Sequence, residues 1–289
     1  MSPPPAPGLI DPADHHQLER LLRRHGITLQ HRLGQNFLID PQVRDVIADA
    51  AGINDSDDVL EVGAGAGTLT VALAPRCRRL VAVELDLRLI PVLREVLVGR
   101  QNVEVVKSDI LRFNVAAAFP AGGEVVAGNI PYNLTGALIR KLLDHSPRPR
   151  RLSLVVQKEV AERWTAPTGA SLATVAVQVF AEATMVVTIP ASAFLPAPKV
   201  DSALVTLDIR ERPAVEVDDM DAFFRFVEGV FQFRRKQLGG SLGRMSQVSG
   251  AQAASQLQEL GIDPARRPQT LKLHEWEAVY RAFNPRFGR

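Results

Sequence analysis

The sequence predicts an α/β fold, a largely parallel sheet with helices on both faces followed by a small helical domain, and three observations carry that prediction. From Asp57 onward, apolar runs of strand length alternate with amphipathic stretches, the rhythm of a chain that returns through a helix after each strand. Two later runs are separated by a proline-containing loop instead of a helix, and a return without a crossover makes an antiparallel pair. Beyond Arg212-Pro213 strand-like runs give out and helical periodicity takes over.

The elements follow in order. Met1 to Pro7 is proline-rich without an apolar core, and residues 1–15 are assigned to a disordered tail. Leu18, Leu21 and Leu22 share one helical face, and Gly26 ends that short basic helix. Val59-Leu60-Glu61-Val62, Leu80-Val81-Ala82-Val83, Val103-Glu104-Val105-Val106, Val125-Val126-Ala127 and Leu152-Ser153-Leu154-Val155-Val156 are the buried strands. Val186-Val187-Thr188-Ile189 and Ala203-Leu204-Val205-Thr206-Leu207 form the final antiparallel pair. Phe223, Phe224, Val227, Val230 and Phe231 make an apolar stripe at spacings of three and four. The boundaries drawn from this are 16–211 for the α/β domain and 212–289 for the helical one.

Composition narrows the class. With 289 residues, 46% of them hydrophobic, the chain can bury a large core and a smaller one. No stretch approaches the roughly 20 apolar residues of a bilayer-spanning helix, so no membrane partner is expected. The single cysteine, Cys77, excludes an intrachain disulfide and a cysteine-cluster metal site and suits a reducing cytoplasm. The histidines are scattered, and no metal is expected. Lys and Arg total 34 against 32 Asp and Glu, so bulk charge does not announce nucleic acid. The distribution says more: Arg234, Arg235, Lys236 and Arg244 lie in a stretch free of acids, and Arg140, Lys141, Arg148, Arg150 and Arg151 surround Asp144 alone. Runs of this kind suit phosphate.

Two groups of residues carry chemistry. The strand at Val59 to Val62 runs into Gly63-Ala64-Gly65-Ala66-Gly67, a junction that lets a ligand approach the backbone. Thr68 stands where the dinucleotide fingerprint wants glycine, which disfavours NAD. Glu84 closes the next strand, placed to accept from ribose hydroxyls, and Asp109 closes the third, placed to accept from an adenine amino group. No Walker Gly-Lys-Ser/Thr exists and no basic residue adjoins the glycine loop. An adenosine ligand without phosphates, S-adenosylmethionine instead of ATP, fits that set. The second group is Asn129-Ile130-Pro131-Tyr132, which puts an amide, backbone carbonyls and an aromatic face at one strand end. Such a set can grip a flat ring that bears an amine.

With these residues in order, the chain resembles the KsgA family of ribosomal small-subunit adenine N6,N6-dimethyltransferases from about Leu33 to about Phe283. Further landmarks are Leu33-Gly34-Gln35-Asn36-Phe37-Leu38-Ile39-Asp40, Gln157-Lys158-Glu159-Val160, Phe194-Leu195-Pro196-Ala197-Pro198-Lys199-Val200-Asp201-Ser202, Phe233-Arg234-Arg235-Lys236 and Gly261-Ile262-Asp263-Pro264. The resemblance implies a Rossmann-like class I S-adenosylmethionine-dependent methyltransferase sheet. It implies a donor site from Gln35, Asn36, Leu38, Gly63, Gly65, Glu84, Leu85, Asp109, Ile110 and Asn129, with Gln35 to Leu38 folding over the methionine end. Catalysis falls to Asn129, Ile130, Pro131 and Tyr132, the last stacking on the target base. Arg234, Arg235, Lys236 and the Arg140 to Arg151 run become phosphate contacts to 16S rRNA in the 30S subunit or its precursor, with the protein working as a cytoplasmic monomer. The substrate implied is two adjacent adenosines in a hairpin loop near the 3′ end of that RNA.

Some positions depart from the family pattern. Ala64 replaces a usual proline; Leu134-Thr135-Gly136 follows Asn133 where a Ser-Thr pair is common; Gly169-Ala170-Ser171-Leu172 lacks a usual tyrosine; Gly239-Gly240 replaces Arg-Asn. The last two predict a lost aromatic contact and a lost charge near RNA. Two rival readings share the motifs: the related macrolide-resistance family that dimethylates large-subunit rRNA, and a non-catalytic ribosome-assembly factor on the same fold. The Arg-Arg-Lys and Gly-Ile-Asp-Pro blocks favour the small-subunit enzyme, and intact Glu84, Asp109 and Asn129 favour turnover. A third, an N6-adenine DNA methyltransferase, lacks a recognisable target-reading segment.

Overall fold

The computed structural model describes residues 10–28, 35–143 and 147–284. Most of the assigned tail, the motif residues Leu33-Gly34, and Asp144 lie outside the described residues. By its contacts the chain forms two compact units, one of residues 1–161 with 183–209 and one of residues 162–182 with 210–289. Segment 162–182, drawn with the α/β domain from sequence, therefore belongs with the helical unit.

In chain order the strands are β1 (Phe37–Leu38), β2 (Asp58–Val62), β3 (Arg79–Glu84), β4 (Val103–Lys107), β5 (Val125–Asn129), β6 (Arg151–Gln157), β7 (Ala181–Ile189), β8 (Phe194–Leu195) and β9 (Ser202–Ile209). The helices are α1 (His15–Arg24), α2 (Pro41–Ala50), α3 (Thr70–Leu73), α4 (Leu89–Val96), α5 (Val115–Ala118), α6 (Thr135–Leu143), α7 (Lys158–Thr165), α8 (Leu172–Phe180), α9 (Met220–Gln232), α10 (Leu238–Met245), α11 (Gly250–Glu259) and α12 (Leu273–Phe283).

Seven strands form the main sheet in the order β4-β3-β2-β5-β6-β9-β7. Strands β2 to β6 pair in parallel and β9 lies antiparallel on β6. The central strands are apolar on both faces, as the continuous runs required, with Val59, Leu60, Val125, Val126, Leu154 and Val155 fully buried. Edge strand β4 keeps only partial burial along its length. Strand order reverses at β2, whose neighbours are β3 and β5, and such a reversal opens a crevice at the carboxyl ends of the strands. Gly128 makes the β2–β5 approach possible, because a Cβ there would sit 2.5 Å from the Val62 carbonyl oxygen.

The first unit is closed on one side by the N-terminal segment. The Asp14 side chain accepts from the Gln17 backbone N–H and starts α1. Leu18, Leu21 and Leu22 then pack against Phe37, Ala66, Leu89, Val92 and Val96. Ordered structure begins earlier than the assigned tail allowed: Ala13 is buried and the Thr68 hydroxyl donates to the Pro12 carbonyl at 3.3 Å. A second, two-stranded sheet pairs β1 with β8, Phe37 opposite Leu195 and Leu38 opposite Phe194.

The helical unit packs around Phe223, Phe226, Trp276 and Phe283, all buried, with Tyr280 edge-on to both Phe223 and Phe226. Two departures from the family pattern fall on its glycines. A Cβ at Gly169 would lie 2.7 Å from Trp276 Nε1, so the indole occupies the space beside that residue. Gly239 is buried in α10 and its N–H donates to the Pro264 carbonyl at 3.1 Å. A Cβ at 239 would meet Pro264 at 3.4 Å and Ala254 at 3.7 Å, ordinary contact distances, and Gly240 next to it is exposed. No helix among the described residues is long and apolar enough to cross a membrane.

Candidate active site

A cavity of about 710 Å³ opens at the carboxyl ends of β2, β3, β4 and β5, within the size range of small-molecule sites. All the sequence-predicted donor residues, Gln35, Asn36, Leu38, Gly63, Gly65, Glu84, Leu85, Asp109, Ile110 and Asn129, line it together with Ile130 and Pro131.

The floor is the turn after β2. Gly65 adopts φ +59°, and a Cβ on it would touch the Phe37 ring at 3.4 Å, so glycine lets β1 lie directly over the loop. Glu84, at the end of β3, accepts from the Gly65 N–H and the Asp86 N–H, both at 2.7 Å. Each carboxylate oxygen keeps a lone pair for a ligand hydroxyl. Burial raises the Glu84 pKa, opposed by those backbone amides. Asp109 uses one oxygen to accept from the Leu111 N–H at 2.9 Å and holds the other 4.0 Å from Arg112. The carboxyl thus shapes its own turn and keeps a second acceptor.

The lid is β1 with the residues before it. Gln35 Nε2 donates to Asp86 Oδ2 at 2.7 Å, and Asp86 is gripped through both oxygens by Arg88. That guanidinium holds the Asp86 carboxyl below its ordinary pKa. Phe37 and Leu38 are fixed by β8, so segments far apart in sequence build one wall.

At the rim, Asn129 Nδ2 donates to the Asn36 backbone carbonyl at 2.7 Å. With the amide nitrogen anchored, Asn129 Oδ1 is left as an acceptor, and no described residue donates to the Ile130 carbonyl. The Ile130 N–H donates to the Val155 carbonyl at 3.1 Å and fixes that peptide. Tyr132 does not line the cavity; its hydroxyl meets the Ser202 hydroxyl at 2.7 Å and is half-buried. Thr135, the hydroxyl that remains at the departure after Asn133, donates to the Tyr132 carbonyl at 3.3 Å.

Sequence reasoning missed Glu61. This residue is 1% exposed on β2, lines the cavity, and its Oε2 has no hydrogen-bond partner among the described residues. Burial pushes its pKa up to about 8, with the Thr70 side chain opposing and the neighbouring Glu84 charge reinforcing. An acid inside the apolar run Val59-Leu60-Glu61-Val62 was the available signal.

The basic runs divide. Arg234, Arg235 and Lys236 are exposed just after α9 in the helical unit. In the Arg140 to Arg151 run three arginines are spent on structure: Arg150 donates to Asp57 at 2.7 Å, Arg151 pairs with Asp208, and Arg148 donates to the Leu143 carbonyl at 2.6 Å. Arg151 opens β6 and Asp58 opens β2. Arg150 and Arg151 therefore sit at the amino ends of the strands, away from the cavity, which corrects their assignment as phosphate contacts. Among the described residues no cluster of His, Cys, Asp and Glu suits a metal ion.

Comparison with known proteins is consistent with this geometry. The family model described as ribosomal RNA adenine dimethylase matches residues 26–283. The chain is 40% identical over 266 residues to the ribosomal RNA small subunit methyltransferase A of Shouchella clausii, covering 89% of this chain and 90% of that one. To the protein of the same name from Geobacter metallireducens it is 41% identical over 268 residues, covering 90% and 98%. Among solved structures it is similar to the 23S rRNA methyltransferase ErmE, with 30% identity, TM-score 0.68, and coverage of 86% and 100%. A dimethyladenosine transferase from Plasmodium falciparum gives 28% identity, TM-score 0.69, and coverage of 86% and 97%.

Proposed function

Because this chain belongs to the ribosomal RNA adenine dimethylase family, we propose that it dimethylates N6 of two adjacent adenosines in a hairpin loop near the 3′ end of 16S rRNA in the small subunit. It is an S-adenosylmethionine-dependent enzyme. The donor supplies a methyl group activated by a sulfonium. The cavity fits that donor: Glu84 and Asp109 offer acceptors at adjacent strand ends for ribose and adenine, and Glu61, whose Oε2 has no partner among the described residues, suits a ligand of net positive charge.

The observation that carries the reading is the anchored Asn129 amide. An adenine N6 lone pair is delocalised into its ring, so the amine reacts only when its hydrogens are held and the nitrogen is bent toward tetrahedral. Asn129 Oδ1 and the Ile130 carbonyl accept those two hydrogens and aim the lone pair into the cavity. Both acceptors are set before substrate arrives, one by Asn36 and one by Val155, so rate comes from orientation and electrostatics. Pro131 stiffens the turn, and Tyr132, tethered through Ser202, offers its ring to the base. Once positive charge reaches N6 its hydrogens are acidic, and after each transfer water removes one of them without a strong base. The target base leaves its stack to reach this rim, which favours a loop over a duplex.

Arg234, Arg235 and Lys236 act as backbone contacts that position the RNA without reading sequence. The protein works on the 30S subunit or its precursor, in the cytoplasm, as a monomer. Methyl-transfer assays on isolated substrates test the reading: activity on unmodified 30S particles and none on naked 23S rRNA is expected, and the reverse overturns it in favour of the large-subunit reaction. Asn129→Ala removes transfer while donor affinity stays within about tenfold, roughly 1.4 kcal/mol; unchanged turnover refutes the assigned role.

A further inference from the structure

The first unit carries a second cavity, of about 420 Å³, lined by Ile10, Gln17, Arg20, Arg23 and Arg24. It lies on the outer face of α1, whose inner face, Leu18, Leu21 and Leu22, is buried against Phe37 and Ala66. Those two residues also wall the donor cavity. The groove is therefore one helix away from the donor site and on a rigid support.

Its polar lining is dominated by donors. Gln17 Oε1 already accepts from the Asp11 N–H at 3.1 Å, and its amide NH₂ adds two donors. Arg20, Arg23 and Arg24 add guanidinium groups, which have no acceptor atom. The acids nearby are engaged elsewhere. Asp11 pairs with Arg44 at 2.8 Å, Glu19 with His15 at 3.4 Å, and Asp14 accepts at the start of α1. Glu95 is held by Arg24 and His25, both at 2.7 Å. Arg20 and Arg23 form no ion pair among the described residues and are exposed one turn apart on the same face. A cleft lined chiefly by donors, with two uncompensated cations, selects a ligand that accepts and carries negative charge.

We propose that this groove binds backbone phosphates of the substrate RNA, with Arg20 and Arg23 as the principal contacts and Gln17, one turn before Arg20 on α1, as a neutral donor. The inference rests on the rRNA methyltransferase reading and adds a grip on RNA in the same unit as the donor site. This grip takes the place of Arg150 and Arg151, which are used to hold strand ends together.

The test uses the full-length protein and the double variant Arg20→Gln/Arg23→Gln. Affinity for unmodified 30S particles is measured between about 50 and 200 mM salt. Each phosphate contact to a single strand contributes about 0.7 to the slope of log K against log salt, so the slope of the double variant falls by about 1.4. The affinity lost across that salt range then shrinks about sevenfold relative to the unsubstituted protein. Arg20→Lys/Arg23→Lys retains the slope, and S-adenosylmethionine binding measured by calorimetry is the same in all three. Three outcomes overturn the proposal: a slope unchanged in the glutamine variant, weaker binding at an unchanged slope, or a lysine variant as impaired as the glutamine one. The two readings fail separately. If the unsubstituted protein methylates 30S particles and the glutamine variant keeps its slope, only the groove assignment falls. If 30S particles are not methylated but the slope on a generic single-stranded RNA drops as stated, the groove stands and the substrate assignment falls.

Discussion

Replacing Glu61 by Gln should make the empty protein more stable at alkaline pH. The carboxyl is fully buried beneath the donor cavity, with Thr70 beside it and the charge of Glu84 nearby, and it titrates at about 8 in the folded chain against 4.5 for an ordinary glutamate. Between those values the folded state holds a proton that the unfolded state has released, so stability falls as pH rises from 4.5 to about 8 and the loss is complete above that. At 1.36 kcal/mol per pKa unit the ionised side chain costs at most about 5 kcal/mol, less whatever water and side-chain relaxation recover. Gln keeps the shape and removes the titration. Scanning calorimetry between pH 5 and 9 should show the melting temperature of the unsubstituted protein falling relative to the Gln variant by up to about 10–20 °C, at about 2–4 °C per kcal/mol. S-adenosylmethionine brings positive charge to the same cavity and should narrow that gap. Melting curves that stay parallel across the whole pH range would show that Glu61 does not titrate there, and the reasoning fails.

Two other substitutions probe the frame around the site. Gly128→Ala puts a methyl 2.5 Å from the Val62 carbonyl oxygen and 3.0 Å from Ile130 Cδ1; it should lower stability by about 1–3 kcal/mol through overpacking between β2 and β5, read from urea unfolding. Tyr132→Phe removes the contact with the Ser202 hydroxyl and should lose about 0.5–1.5 kcal/mol of stability while keeping most of the transfer rate, because the proposed role belongs to the ring and not the hydroxyl; a rate collapse at retained stability would make the hydroxyl the working group.

What was legible in the sequence follows from the range of the signals. Strands β2 to β6 are continuous apolar runs, a local pattern, and they appear where the runs predict them. The meeting of Gly63, Glu84, Asp109 and Asn129 around one cavity was legible because strand ends of an open parallel sheet converge on one crevice. Pairings that depend on distant partners were not. The pairing of β1 with β8 involves two residues on each side and no periodicity long enough to read. Helix α8, Leu172–Phe180, is apolar nearly all round, so its composition says that it is buried but not in which unit. The Arg140 to Arg151 run looked free because Asp57 and Asp208, which hold its arginines, are far away in sequence.

The bond from Asn129 to the Asn36 carbonyl has a mechanistic consequence that neither residue suggests alone. Asn36 immediately precedes β1, which lies over the glycine loop and is held in register by β8; Gln35, next to it, is tied to Asp86 and through it to Arg88. The donor lid and the acceptor grip are thus one hydrogen-bonded unit. Whatever seats β1 against Gly65 also orients the Asn129 amide, because the carbonyl that holds it moves with β1. In the proposed mechanism adenine N6 is held by Asn129 Oδ1, and the orientation of that amide depends on the Asn36 carbonyl that anchors its nitrogen. On the proposed mechanism, contacts made on the donor side are in this way converted into alignment on the acceptor side, a route by which a site without a strong base or covalent nucleophile gains rate from geometry. Residues joined in such a network share their energetic effects, so losses at Asn36 and Asn129 overlap instead of adding.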